Sequence, residues 1–179
     1  VSGSWQSVRI ERRVRSGLQS LAFNASNTPS IVYQDNSSNK LYFASRPGSS
    51  WTSELVAATV NVFWASLAYD GSGAPVIAYT EHPTILKLAK KSCSSWSIET
   101  ITTASVVLYK PNLAFDPSNG EATVLFDAIP CDIRLARKSG GTWQFEDVVS
   151  GISGPESLAF DASGTPYVAY RQCAVNNEL

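Results

Sequence analysis

One phrase recurs four times along the chain, and this repeat limits the fold more than any other feature does. The clearest copy is SLAFDASGTPYVAY, from Ser157 to Tyr170, and related phrases open at Ser20, Ser66 and Asn112. The four starts lie 46, 46 and 45 residues apart. Self-similarity at such a period is the signature of architectures in which each repeat packs on the next one. The sequence therefore predicts a repeat fold.

Each copy of the phrase has the pattern of a β-hairpin. In the fourth copy the large side chains of Leu158 and Phe160 alternate with an alanine, and the return segment 167–170 is rich in β-formers. Residues that tolerate a positive φ stand in the predicted turns, at Asn27, Gly73, Asn119 and Gly164. The third copy has one extra residue, so its turn is expected to differ. An alanine recurs in every first strand, which indicates crowding near a central axis, at Ala22, Ala68, Ala114 and Ala159.

Two further strands follow each hairpin. A third strand is predicted at LYFAS from Leu41, LKLAK from Leu86 and IRLAR from Ile133. A fourth, outer strand is predicted from a tryptophan-led segment, which occurs at Trp5, Trp51, Trp96 and Trp143. Four strands in about 46 residues, with no amphipathic helix pattern between them, are typical of a propeller blade. We therefore predict an all-β fold, a β-propeller built of four-stranded antiparallel blades.

The two ends of the chain fall in mid-repeat. Residues 1–15 supply an outer strand, and the predicted blade begun by the hairpin at Ser157 is completed by the strand at Trp5. On this interpretation residues 1–179 form one propeller domain or fragment, with repeats starting near 20, 66, 112 and 157 and one blade split between the termini. The sequence leaves three arrangements open: a closed four-bladed monomer, two chains that complete each other's split blade as a homo-oligomer, or a fragment of a larger propeller.

The inner hairpins resemble those of bacterial β-propeller repeat proteins and are loosely similar to NHL-type repeats. The wording shared with such repeats is aliphatic-Ala-x-Asp-x-x-Gly-x-x-Tyr-Val-Ala, carried here by Leu158, Ala159, Asp161, Gly164 and the segment 167–169. The resemblance covers essentially the whole chain and implies the propeller fold.

Charge and composition argue against several classes of function. With 14 basic and 15 acidic residues the net charge is −1, which predicts no binding to nucleic acid. No apolar run approaches the roughly 18 residues of a membrane span, so no membrane partner is predicted. His82 is the single histidine, which makes a multi-histidine metal site or a Ser/His/Asp triad hard to build. A Gly-rich phosphate loop is missing as well. We therefore predict no catalytic residues, no metal and no cofactor.

The remaining polar features have simpler interpretations. Asn24, Asp70, Asp116 and Asp161 share one turn position, where such residues bond their own turn backbone, so turn chemistry is favoured over calcium binding. The three cysteines, Cys93, Cys131 and Cys173, leave at least one thiol free or intermolecular, and a Cys131–Cys173 bridge stays open. A secreted or extracellular location is expected from the composition.

These observations favour a non-enzymatic, lectin-like binding module that recognises a glycan or another partner, such as a protein, through loops on one face of the propeller. The predicted ligand-binding residues in the connections between blades are Phe63, Trp64 and Tyr109. Those in the loops after the second strands are Asp35, Glu81, His82, Asp127 and Arg171. An aromatic platform beside hydrogen-bonding groups suits a sugar. The alternatives are a fragment of a propeller hydrolase or lyase, or a purely structural fragment in which Phe63 and Trp64 plug the channel or seal a contact between chains.

Overall fold

A computed structural model describes residues 10, 20–58, 61–128, 132–150 and 153–171, and within these residues every regular element is a β-strand. The first blade contains β1 (Ser20–Phe23), β2 (Pro29–Asp35), β3 (Lys40–Ser45) and β4 (Thr52–Ala57). The second blade contains β5 (Val62–Tyr69), β6 (Pro75–Glu81), β7 (Ile85–Ser92) and β8 (Ser95–Thr103). The third blade contains β9 (Leu108–Phe115), β10 (Ala122–Ala128), β11 (Asp132–Ser139) and β12 (Thr142–Ser150). The described part of the fourth blade contains β13 (Ser153–Phe160) and β14 (Pro166–Arg171).

Each of the first three blades is an antiparallel sheet whose strands lie side by side in sequence order. The first strands of successive blades contact each other, β1 with β5, β5 with β9, and β9 with β13. The blades are therefore arranged radially, with one strand of each near the centre. This confirms the predicted fold class, an all-β propeller of four-stranded blades.

The hydrophobic core lies between the blades, because each sheet is apolar on both faces. Val32 and Phe43 of the first blade pack with Leu67 and Tyr79 of the second in one cluster. A second cluster joins the second and third blades, and a third joins the third and fourth blades around Leu158. The recurrent alanines Ala22, Ala68 and Ala114 pack against these three clusters. The crowding that they were predicted to relieve is therefore between neighbouring blades.

The hairpin turns confirm the predicted turn chemistry. Asp161 Oδ1 accepts hydrogen bonds from the backbone N–H groups of Ser163 and Thr165, each at 2.9 Å. Asn24, Asp70 and Asp116 play the same part in the other copies. Positive φ angles occur at Asn27 (57°), Gly73 (81°) and Gly164 (86°), as predicted. In the third copy the prediction for Asn119 is wrong, because the extra residue moves the left-handed position to Gly120, at 73°.

The inner strands begin earlier than the sequence pattern predicted. Phe63, Trp64 and Tyr109 therefore lie inside β5 and β9, and their assignment to connections between blades is wrong. The cause is the run of β-formers in 62–64, which continues the ladder so that Trp64 pairs with Thr80.

The second strands also extend further than predicted. The residues assigned to the loops after them instead end or nearly end these strands, namely Asp35, Glu81, Asp127 and Arg171. Of the five predicted loop residues only His82 lies in a turn, exposed and with a φ of 47°.

Some predictions fall outside the described residues. These are the outer strand in residues 1–15 with Trp5, the split blade that it would complete, and the cysteines Cys131 and Cys173. Cys93 lies in the hairpin between β7 and β8, where its thiol is free and exposed. Within the described part of the chain there is no helix with the length and apolarity that crossing a membrane requires.

Candidate functional site

The structure brings two of the predicted aromatic residues together. The rings of Trp64 in the second blade and Tyr109 in the third meet edge to face, with 6.0 Å between their centroids. The Trp64 Nε1 atom is buried and donates no hydrogen bond within the described residues. This pair therefore packs two blades against each other.

The predicted polar residues are distributed over four blades. Two of them, Asp127 and Arg171, occupy one position in the second strands of their blades, and the same position in the other two blades holds Gln34 and Thr80, which were not predicted. Asp127, Gln34 and Thr80 are buried, whereas Arg171 is exposed. Glu81, next to this position, forms an ion pair with Lys87 on the neighbouring strand. These side chains thus lie at equivalent positions of different blades and do not form a single pocket.

A different site lies further out, in the groove between the first and second blades, which we call the first groove. Glu54 from β4 reaches across it to the second blade. Its Oε1 atom accepts a hydrogen bond from Lys91 Nζ at 2.5 Å and another from Trp96 Nε1 at 3.2 Å. The first groove therefore joins a carboxylate of one blade to an ammonium and an indole of the next blade.

Aromatic rings line the first groove beside these charges. Phe43 and Trp96 lie with their ring centroids 5.5 Å apart, and Lys91 Nζ lies 5.9 Å from the first centroid and 6.0 Å from the second. Two neighbouring cavities open here, of about 140 and 290 Å³, and Lys91 lines both. The side chains of Glu54 and Lys91 are 38% and 25% exposed, so the pair can be reached from solvent.

The same arrangement is built again between the second and third blades, in what we call the second groove. Lys138 Nζ lies 2.5 Å from Glu99 Oε1 and 5.7 Å from the centre of the Trp143 ring. A cavity of about 260 Å³ is lined by Glu99, Lys138 and Phe115, among others. Trp143 Nε1 is buried and has no hydrogen-bond partner among the described residues. Lysine, carboxylate and indole thus occupy equivalent places in two consecutive grooves.

The sequence contains a signal for these grooves. A lysine or arginine stands five residues before the tryptophan of the outer strand, and a glutamate stands three residues after it. This spacing occurs in three copies, at Arg46/Trp51/Glu54, Lys91/Trp96/Glu99 and Lys138/Trp143/Glu146. Sequence reasoning missed it because blade packing accounts for a tryptophan that recurs once per repeat. Only the radial arrangement shows that Glu54 and Glu99 each meet the lysine of the following blade.

The second groove carries more charge than the first. Lys90 Nζ lies 2.7 Å from Asp70 Oδ2 at its edge, where the first groove has Ser45 and Asn24. Burial of the Asp70 carboxyl favours its neutral form, but bonds from Lys90, Ser72 and Ala74 outweigh it and lower the pKa of Asp70 to about 2. Asp70 is therefore ionised at neutral pH.

This shift predicts an acid-dependent loss of stability. The pKa of Asp70 is lower in the folded state than its usual 3.8, so its contribution is present above about pH 4 and is lost as the pH falls towards 2. We expect Asp70→Asn to lower the free energy of unfolding at pH 7 by about 1–2 kcal/mol, since asparagine keeps the turn bonds, as Asn24 does, but loses the charge. Urea denaturation at several pH values should show parent and variant converging near pH 2. The matched control is Asp147→Asn, at a side chain that is 66% exposed and should matter little. A difference that stays constant down to pH 2 would contradict the proposed role of the Asp70 charge.

Both grooves offer chemistry for binding. Each combines a flat aromatic surface with a charged donor and a charged acceptor, the groups that fix the orientation of a polar ligand. No cluster of three or more potential metal ligands occurs among the described residues.

Two solved structures are similar to this chain. One is a triple mutant of AofleA from Arthrobotrys oligospora, with a TM-score of 0.62 and 12% sequence identity over 85% of this chain and 49% of that chain. The other is a mutant of the Aleuria aurantia lectin AAL in complex with Fucalpha1-6GlcNAc, with a TM-score of 0.63 and 19% identity over 93% of this chain and 52% of that chain. No protein-family model and no curated protein matches the sequence.

At these identities the likeness concerns the fold. Both solved structures are β-propellers, which confirms the propeller part of the resemblance seen in the inner hairpins, whereas its NHL-like and bacterial parts stay predictions. The chain spans about half the length of the structures that it matches. It is a β-propeller chain of four-stranded blades.

Proposed function

We propose that this protein is a non-enzymatic glycan-binding module and that the first and second grooves hold the sugar. The observation that carries the proposal is the recurrence of the same three groups in both grooves. Glu54, Lys91 and Trp96 recur as Glu99, Lys138 and Trp143, although the residues around them differ. Blade packing alone needs an aromatic residue here, but it has no need for a lysine and a glutamate that are partly exposed.

The chemistry of the grooves suits a sugar. The apolar C–H face of a pyranose stacks on an aromatic ring, and its hydroxyl groups both donate and accept hydrogen bonds. In each groove the lysine donates and the glutamate accepts, so one vicinal pair of hydroxyls can bond to both and replace part of their mutual contact. The fold supports the same proposal, since the AAL structure similar to this chain holds a fucosylated disaccharide.

The test is a calorimetric titration that uses Fucalpha1-6GlcNAc as the first probe, preceded by a glycan array to find stronger ligands. We expect two equivalents of sugar to bind per chain in the described grooves. Lys91→Ala should remove one equivalent and Lys138→Ala the other, because each lysine belongs to one groove. The double variant should lose binding by at least tenfold, the effect of removing about 1.4 kcal/mol of binding free energy.

Two control variants distinguish the grooves from binding sites elsewhere on the chain. Lys40→Ala removes a lysine outside the grooves and should leave binding unchanged. Trp64→Ala tests the site predicted from sequence, the set around Trp64 and Tyr109. If the double lysine variant binds as the parent does while Trp64→Ala does not bind, the grooves are not the site. No binding to any glycan on the array would contradict the proposed function itself.

The enzyme alternative has its own readout. A hydrolase or lyase fragment would need two carboxylates at a defined separation, and the candidates Asp35, Glu81 and Asp127 lie on three different blades. Incubation with the glycan that binds best, followed by measurement of new reducing ends, distinguishes the two. Turnover that is lost in Glu81→Gln would favour the enzyme.

A further inference from the structure

The four described blades form an arc, and the outer faces of the first and fourth blades, which we call the two flanks, are exposed. The equivalent faces of blades inside the arc are buried. On the first blade Leu21 and Phe23 are 61% and 58% exposed. The residues equivalent to Leu21 in the second, third and fourth blades are Leu67, Leu113 and Leu158, which are 5–6% exposed because a preceding blade covers them. The flank of the first blade is therefore a standard blade-packing face on which none of the described residues packs.

The flank of the fourth blade shows the opposite half of the same contact. Tyr167 is 61% exposed, and Ala169 and Arg171 are exposed beside it. Their equivalents in the second blade, Val76, Ala78 and Thr80, are buried against the third blade. The two open flanks are thus the complementary halves of one type of junction.

The junctions inside the arc show how these halves fit together. Ser20 Oγ of the first blade accepts a hydrogen bond from Leu67 N of the second at 3.0 Å, and Ser66 Oγ accepts one from Leu113 N of the third, also at 3.0 Å. Ser157 is the equivalent serine of the fourth blade, where it is exposed, and the equivalent donor on the first blade is Leu21 N. A bond between these two would repeat the pattern.

The first blade also carries one half of a groove. Arg46 and Trp51 stand where Lys91 and Trp96 stand in the second blade, and Phe23 stands where Tyr69 lines the first groove. Arg46 Nε donates to Ser49 O within its own loop instead of to a carboxylate of a preceding blade. This half-groove is complete only when another blade packs on the flank.

We propose that a second copy of this chain packs head to tail on the first, with the fourth blade of each copy on the first blade of the other. The two matched solved propellers are about twice as long as the matched part of this chain, so two copies supply the length of one such propeller. Two copies carry eight inner hairpins, which is within the usual range of four to eight blades. Since the same heterologous junction forms twice, the pair closes into a ring. This association goes beyond glycan binding and does not depend on it.

Light scattering after size exclusion, run over a range of concentrations, tests the association. We expect the parent chain to have twice the 19.3 kDa mass of one chain. Leu21→Asp and Tyr167→Asp each place a charge on one flank, so each should halve the mass. Val106→Asp charges another exposed apolar residue, outside the flanks, and should leave the mass unchanged. Circular dichroism should show that all three variants keep the β-sheet spectrum of the parent.

Mixing the two flank variants tests the head-to-tail geometry. In the mixture the intact fourth blade of the Leu21→Asp chain can meet the intact first blade of the Tyr167→Asp chain, so one good junction forms and dimers reappear. A monomeric parent, or a dimer that Tyr167→Asp does not disturb, would overturn the proposal. Loss of the dimer together with retained sugar titration in the first and second grooves would leave the proposed function intact, and the reverse result would leave the association intact.

Discussion

Replacement of Phe126 by alanine is expected to lower the free energy of unfolding by about 3–5 kcal/mol. Phe126 is 1% exposed and lies in the cluster that joins the second and third blades, together with Leu86 and Leu108. The substitution removes a phenyl group that packs in the cluster shared by both blades, and its close-packed neighbours fill the resulting cavity only partly. Chemical denaturation followed by the tryptophan fluorescence should show this loss.

The equivalent residue of the second blade gives a matched control. Tyr79 is fully buried, and its hydroxyl has no hydrogen-bond partner among the described residues. Burial and the nearby Glu81 carboxylate raise the pKa of this hydroxyl, so it stays neutral. Because Tyr79→Phe recreates the residue that the third blade uses, we expect stability to stay the same or rise by about 1 kcal/mol. A loss of more than about 1 kcal/mol in this variant would show that the hydroxyl is stabilising after all.

Gly164→Ala is expected to destabilise the fold by about 2–4 kcal/mol, for two reasons that add. Gly164 has a φ of +86°, which is unfavourable for a residue with a Cβ atom. A Cβ atom at this position would also lie 2.6 Å from Asp116 Oδ1 and 2.7 Å from Ser118 Oγ, in the turn of the preceding blade. The turns of the third and fourth blades therefore touch through this glycine.

Gly73→Ala separates the two effects. Gly73 has nearly the same φ, +81°, but nothing lies within 4 Å of a Cβ atom built there. Its substitution should cost only the backbone strain, about 1–2 kcal/mol. Thermal denaturation of both variants measures the contribution of the close approach as the difference between them. Equal losses would mean that the neighbouring turn moves aside without cost.

Much of the fold could be predicted because each repeat carries the same local pattern of strand and turn residues. Alternating apolar residues such as Leu158 and Phe160 gave the strands, and Asp161 and Gly164 gave the turn. The lengths of the inner strands were predicted less well. Val62, Phe63 and Trp64 favour a strand, but they lie outside the recurring phrase, so an interpretation based on the repeat placed them in a connection.

The candidate site could not be predicted in the same way, because each groove is made by two repeats. Trp96 has its hydrogen-bond partner Glu54 in the preceding blade, 42 residues earlier in the chain. Sequence periodicity compares a residue with its equivalents and not with the residues that it meets. The aromatic pair Trp64 and Tyr109 was noticed because it departs from the repeat, whereas the groove residues follow it.

Because the grooves lie at the junctions between blades, the number of junctions sets the number of grooves. An open arc of blades has one junction fewer than it has blades, whereas a closed ring has as many junctions as blades. On the proposed function, duplication of a single repeat therefore adds a whole binding site without any new residue having to evolve. Sites held on one rigid scaffold engage neighbouring sugars of a branched or surface-bound glycan at high effective concentration. Weak binding in each groove would then be sufficient for firm attachment to a glycan-covered surface, with the strength set by the number of repeats.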